Sequence, residues 1–312
     1  MMFWENFIAI AQQVLVLFIL IGAGFGCGKK GVLNEQVSKK MTDIVLYLVT
    51  PCVMVSAFQR PFSWELLGKV GVAALTATAV MIAAILTARL FIRDKNENRR
   101  KVLQFAVIFS NCGFMSLPLQ KALLGDDGWF FGSIFVAVFN VCCWTYGLVD
   151  MSGDKKLLSF KKLALNPGII GVIAAMILFM LQIELPVVIA EPVRHLANLN
   201  TPLPMLIIGF YLSGVKFKDA FADKGTYLAM LLRLVVIPAA VTVVMAALRL
   251  DPKMTVAFAI ACSAPTAATT TMFAAKFNRD VRLSVGTVAA TTLVSIITMP
   301  LAVSLAYTLA GI

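Results

Sequence analysis

FSNCGFMSLPLQ, Phe109 to Gln120, lies in a run from Val102 to Leu124 that otherwise reads as helix in a lipid bilayer. Within eight positions it holds Asn111, Gly113, Ser116 and Pro118. A helix in hydrocarbon cannot leave backbone groups unpaired without a cost of several kcal/mol each. The stretch therefore predicts a helix broken on purpose, in a chain built for a membrane.

Composition supports the membrane. Hydrophobic residues are 60% of the 312 and charged residues only 14%, against about 45–50% apolar in soluble domains. The charges bunch between long apolar runs, each near the ~20 residues that span a bilayer. The net charge of +11 sits in those short linkers, so nucleic acid is not an expected partner. The six cysteines lie in or at the ends of apolar segments and suggest neither a disulfide framework nor a zinc site. His195 is the only histidine, so no multi-histidine metal site is expected, and no cofactor. Phe7 to Gly26 reads as a retained first helix, not a signal peptide.

Hydropathy divides the chain into ten segments, at 7–27, 38–58, 66–92, 102–124, 129–150, 166–187, 196–214, 225–248, 253–275 and 284–308. The odd-numbered linkers carry nineteen Lys and Arg, among them Lys95 and Lys156. The even-numbered ones carry five: Arg60, Lys121, Arg194, Arg249 and Lys253. Positive charge marks the cytoplasmic side, which places both termini outside.

Five segments per half imply inverted halves. TPCVM at Thr50–Met54 matches TPLPM at Thr201–Met205. Phe105-Ala106 matches Phe258-Ala259, and Gly132-Ser133 matches Gly286-Thr287. The offsets are 151, 153 and 154. The predicted organisation is a first repeat at 1–150, a cytoplasmic linker at 151–165 and an inverted second repeat at 166–312. Inverted repeats with broken helices near the midplane typify secondary transporters.

The break in the fourth segment then has a partner in the ninth, ACSAPTAATTTMFAAKF, Ala261 to Phe277. Pro265 removes an amide donor there and clashes with the preceding turn. Gly113 and Pro118 are expected to weaken the fourth helix similarly. Crossing broken helices present helix N-termini, whose free N–H groups and positive dipole ends favour an anion.

NCGFMSLPL together with SAPTAATTTMFAAKFNRD, and the TPC of the second segment, resembles the auxin efflux carrier family, which includes bacterial malate and malonate permeases and the plant auxin exporters. The resemblance covers essentially the whole chain. It implies an all-α membrane protein of ten helices with scaffold and transport parts, crossed fourth and ninth helices, and organic anion transport. It implies Asn111 and Pro265 as crossover residues. Plant members carry a proline where this chain has Ser110, and often a long central loop where this chain has about fifteen residues. A small carboxylate in a bacterial inner membrane fits better than auxin.

The substrate-binding candidates are Ser110, Asn111, Gly113, Ser116, Pro118, Asn140, Ser263, Pro265, Thr266, Thr269 and Thr270. For Asn111 the alternative is a hydrogen bond between helices; for Pro265 it is a plain kink, and for Thr269–Thr271 close helix packing. Pro51 and Pro202 are read as helix-break prolines. Asp43 and Arg233 lie inside spans, where charge is functional by default, and read as a coupling site or an ion pair. Asp150, Glu65 and Glu184 sit near span ends and read as solvated. The expected partners are a small organic anion and the lipid bilayer, with a homodimer left open. The competing readings are a sodium-coupled symporter of the bile-acid type and a membrane sensor on the same fold; an intramembrane enzyme is disfavoured for want of a nucleophile–base pair or metal cluster.

Cysteines placed at Lys95 or Lys156, in a background stripped of native cysteines, are expected to resist an impermeant thiol reagent in intact cells. Those at Arg60 or Lys253 are expected to react. Outside labelling at position 156 contradicts the ten-segment arrangement.

Overall fold

The computed structural model describes residues 2–154, 156 and 166–312. Lys155, Lys161, Lys162 and most of the 151–165 linker lie outside the described residues. Among the described residues every named element is helical, and the only β pairing is one antiparallel bridge, Ser110 with Thr266.

The elements, in chain order, are α1 (Met2–Lys29), α2 (Glu35–Phe58), α3 (Trp64–Phe91), α4 (Glu97–Ile108), α5 (Cys112–Ser152) and α6 (Pro167–Met180). They continue as α7 (Val187–Asn198), α8 (Pro202–Ser213), α9 (Lys224–Ala247), α10 (Pro252–Ser263), α11 (Thr269–Lys276) and α12 (Val281–Ala310). Among the described residues six stretches are apolar and long enough to cross a membrane: α2, α3, α5, α9, α12 and Asn6–Lys29 within α1.

The side-chain pattern of α3 shows what these helices face. Ala73, Ala77, Ala84 and Ala88 recur at helical spacing and are buried. Leu75, Ile82, Leu86 and Leu90 on the other face are exposed, Leu75 by 74%. Small residues inside and large apolar ones outside is the arrangement of a helix in lipid, where close packing rather than water exclusion holds helices together. Glycines carry that packing elsewhere. A Cβ on Gly24 would stand 2.3 Å from the Leu206 carbonyl oxygen, and one on Gly209 would stand 2.0 Å from that of Ile21. α1 and α8 thus meet backbone to backbone, and the two sequence halves interleave.

At 41 residues α5 would be about 60 Å long if straight, twice the ~30 Å of a hydrocarbon core. It turns back on itself instead. Gly125 adopts φ 63, ψ −137, a conformation open to glycine at little cost. Beyond it Gly128 faces the Gln120 carbonyl, Gly132 faces Gln120 and Leu117, and Gly113 faces Val136. Phe109, before the helix starts, packs on Phe139 with ring centroids 5.5 Å apart. That falling and rising register describes two antiparallel arms.

Prolines shape the turns ahead of them. A proline ring clashes with the carbonyl four residues back. Before Pro51, Pro118 and Pro238 the helix widens into a π turn, at Val45–Val49, Cys112–Ser116 and Leu232–Val236. The residue ahead of each proline donates its N–H five residues back: Thr50 to Val45, Leu117 to Cys112 and Ile237 to Leu232. The Thr50 hydroxyl also bonds the Val45 carbonyl, at 2.9 Å.

Two expectations change. The sixth segment, expected over 166–187, is the 14-residue α6, ending at Met180 ahead of Gln182 at φ 55. The stretch after it, expected as linker, is helix α7, whose charges Glu191, Arg194 and His195 hide it from a hydropathy reading. At the end predicted to lie inside, Arg99 gathers Asp94 at 3.0 Å, Asp223 at 2.7 Å and Asp280 at 4.0 Å. Asp223 also caps α9 and Asp280 caps α12, so one cation ties two helix starts together.

Gly128→Ala places a methyl against the Gln120 carbonyl, 2.2 Å away, where no side chain can yield. It is expected to cost about 1–3 kcal/mol and to lower the melting temperature in detergent. Gly22→Ala, with nothing within 4 Å, is expected to leave it unchanged. Equal melting of the two variants refutes the hairpin packing.

Candidate functional site

The chain unwinds twice inside its apolar core, between α4 and α5 and between α10 and α11. The second interruption has a local cause. A residue before proline is pushed out of the helical region, and Ala264, ahead of Pro265, sits at φ −63, ψ 149. The first has no proline in it. Phe109 lies at φ −101, ψ 104 and Asn111 at φ −78, ψ 51. Gly113 and Pro118 were expected to weaken this helix; both lie in the helix that resumes after the gap. Pro118 widens one turn; the gap itself is held by the other interruption.

The two gaps pair as antiparallel backbone. Asn111 N–H donates to the Pro265 carbonyl at 2.7 Å, and Ala267 N–H to the Phe109 carbonyl at 2.9 Å. Between these bonds lies the Ser110–Thr266 bridge. Side chains satisfy further backbone groups. The Thr266 hydroxyl donates to Ala106 O at 3.0 Å, and Thr266 N–H donates to the Thr291 hydroxyl at 3.2 Å. Ser116 donates to Ile260 O at 3.2 Å and Ser263 to the same oxygen at 3.1 Å.

Some polar groups remain open. The Asn111 side chain makes no hydrogen bond with the described residues, although the residue is only 7% exposed. The Thr269 and Thr270 hydroxyl oxygens, at the start of α11, are buried without a partner among the described residues. At the helix starts, the Met115 amide of α5 and the Thr270 and Thr271 amides of α11 bond back to the carbonyls of Asn111, Ala267 and Ala268; the amides ahead of them have no partner within their own helices, as at any helix start.

The matching family model covers residues 9–303 and describes membrane transport proteins. The chain belongs to this family, the auxin efflux carriers. A protein of Methanocaldococcus jannaschii named as an uncharacterized transporter is 23% identical over 301 residues, covering 92% of this chain and 96% of that protein. Protein ECM3 of Saccharomyces cerevisiae is 24% identical over 153 residues, 45% of this chain and 24% of that protein. The family is one of integral membrane transporters, and the apolar helices agree with it.

Of the sequence candidates, Ser110, Asn111, Pro265 and Thr266 meet directly at the paired gaps. Gly113, Ser116, Pro118, Thr269 and Thr270 lie in the helical turns that follow, and Ser263 closes α10. Asn140 is elsewhere: a Cβ on Gly168 would stand 2.7 Å from its amide nitrogen, at the start of α6. Pro51 also packs against α6, 2.7 Å from the position of a Cβ on Gly171. Pro202 opens α8. Asp43 is half-buried and forms no ion pair with Arg233. The Arg233 guanidinium instead donates to the carbonyls of Val107 at 2.9 Å, Ile108 at 3.2 Å and Cys262.

Asn200 was missed. It is 5% exposed and donates its amide to the Gly113 carbonyl at 3.2 Å. Its signal was an asparagine directly ahead of the Thr201-Pro202 motif. Asp150, expected to be solvated, is 7% exposed; Lys101 reaches it at 2.7 Å and Arg89 at 3.7 Å. These three line a cavity of about 530 Å³ with Arg93, Lys95 and Arg100, whose one other carboxylate is Asp94. A backbone N–H of Asn96 and the Arg99 guanidinium beside it hold the Asp94 carboxyl below its ordinary range. At the opposite end a cavity of about 540 Å³ is lined by Arg60, Lys69, Asp126 and Asp127 among others.

Proposed function

We propose that this chain is a secondary transporter for small organic anions such as dicarboxylates, working by alternating access around the paired gaps. On this reading it has ten spans in two inverted repeats, 1–150 and 166–312, joined by the 151–165 linker. The fourth and ninth helices are the broken, crossing pair. Both termini lie outside, and the membrane is a bacterial inner membrane.

The observation that carries the reading is the chemistry left open at the gaps. Two helices start there, and a helix start offers N–H groups and a partial positive charge to an anion. The unengaged Asn111 amide and the unpartnered Thr270 hydroxyl are donors beside those starts. A dicarboxylate supplies acceptors for such donors. The cavity that holds Lys95, Arg100 and Lys101 has five cations to two carboxylates, a balance that draws anions toward the mouth. Membership of the family and the family likeness of the Asn111 and Pro265 motifs point the same way.

The test is uptake of labelled malonate, malate and succinate by proteoliposomes, with and without Asn111→Ala. A hydrogen bond to a charged group is worth about 1.5–3 kcal/mol, so the variant is expected to bind its anion about ten- to a hundredfold more weakly. Its melting temperature in detergent is expected to stay unchanged, because Asn111 contributes its backbone, not its side chain, to the pairing of the gaps. A lower melting temperature with unchanged anion affinity makes Asn111 a structural residue and removes the site from this position.

A further inference from the structure

Among the described residues Arg233 is the largest side chain that is fully buried, at 2% exposure, and it lies midway along α9. A cation there ordinarily needs a carboxylate or it is very costly. None among the described residues pairs with it. Its two terminal nitrogens donate to three backbone carbonyls, those of Val107 and Ile108, the last two residues of α4, and of Cys262, the last but one of α10, while its Nε is buried without a partner among the described residues. One guanidinium therefore closes the C-terminal ends of both interrupted helices.

The charges match. A helix C-terminus carries roughly half a negative elementary charge. Two of them converge here, and arginine, which stays protonated in proteins, brings one positive charge. Its planar fork reaches the carbonyls of two separate helices at once. Carbonyls at the C-terminal ends of broken helices are also the groups that hold a sodium ion in other secondary transporters. In this chain a side chain stands among them.

We propose that Arg233 is a tethered cation, occupying the place between the two helix ends that a free coupling cation would otherwise take. It leaves the helix starts of α5 and α11 as the uncompensated, positive pole of the gaps. This rests on the transporter reading for its role in transport, but the occupancy of the carbonyl cradle is testable without any substrate.

The experiment compares melting temperatures of the purified full-length protein in detergent, without organic anion. Wild type, Arg233→Ala, Arg233→Gln and Arg233→Lys are each measured in choline chloride and after addition of sodium, potassium or methylguanidinium chloride. Arg233→Ala is expected to melt lower than wild type, and methylguanidinium or sodium is expected to raise it by at least about 3 °C, as a ligand bound only to the folded state does. Wild type is expected to be indifferent to the same salts. An Arg233→Ala protein that no cation stabilises beyond choline overturns the proposal. Should Arg233→Ala yield no folded protein, the other two decide. Arg233→Lys melting well above Arg233→Gln supports a requirement for charge, and equal melting of the two overturns it. Anion-induced stabilisation of wild type is recorded separately, so loss of the transporter reading and loss of this one give different results.

Discussion

The structure depends on one constraint: backbone that leaves the helix inside a bilayer must find partners there. Phe109 to Asn111 and Pro265 to Ala267 meet it by pairing with each other, through hydrogen bonds of 2.7 and 2.9 Å. Neither gap is stable alone in hydrocarbon, where an unpaired peptide group costs several kcal/mol. Together they form a short ribbon that Thr266 and Thr291 extend to neighbouring helices. The remaining helices enclose that ribbon, and the close glycine contacts of α1 with α8 and within α5 bring them near enough to do so.

Pairing the gaps also sorts charge. Each interruption ends one helix and starts another, so negative and positive dipole ends lie a few residues apart along the chain. The carbonyl ends converge on Arg233. The amide ends, at Cys112 and Thr269, adjoin Asn111 and two unpartnered threonine hydroxyls. On the proposed reading, a region with one pole filled by Arg233 and the other left open prefers anions. That preference is what the proposed dicarboxylate substrate requires.

How much of this was legible in the sequence follows from the range of each cause. Apolar runs and the charges between them are local, and they marked the membrane helices. Pro265 acts on its own neighbours, so the second gap stood where it was expected. The first gap lies at Phe109 to Asn111, inside the stretch where a break was expected, but its expected causes, Gly113 and Pro118, lie beyond it; its actual cause is a partner strand some 150 residues away. Arg233 was visible as a buried charge, but its partners are carbonyls, which every residue has and no sequence distinguishes. Asn200 and Asp150 were hidden for the same reason: their surroundings come from other helices. α7 escaped because hydropathy alone cannot tell a short charged helix from a loop.

The most direct measurement of the central claim is an experimental structure with a heavy-atom-labelled anion, bromosuccinate, located by the anomalous signal of its bromine. The account predicts the bromine beside Asn111, within the turn that opens α5 or α11 and away from Arg233. Bromine found only in the basic cavity around Lys95 and Lys101, with the gaps unoccupied at saturating anion, would contradict it.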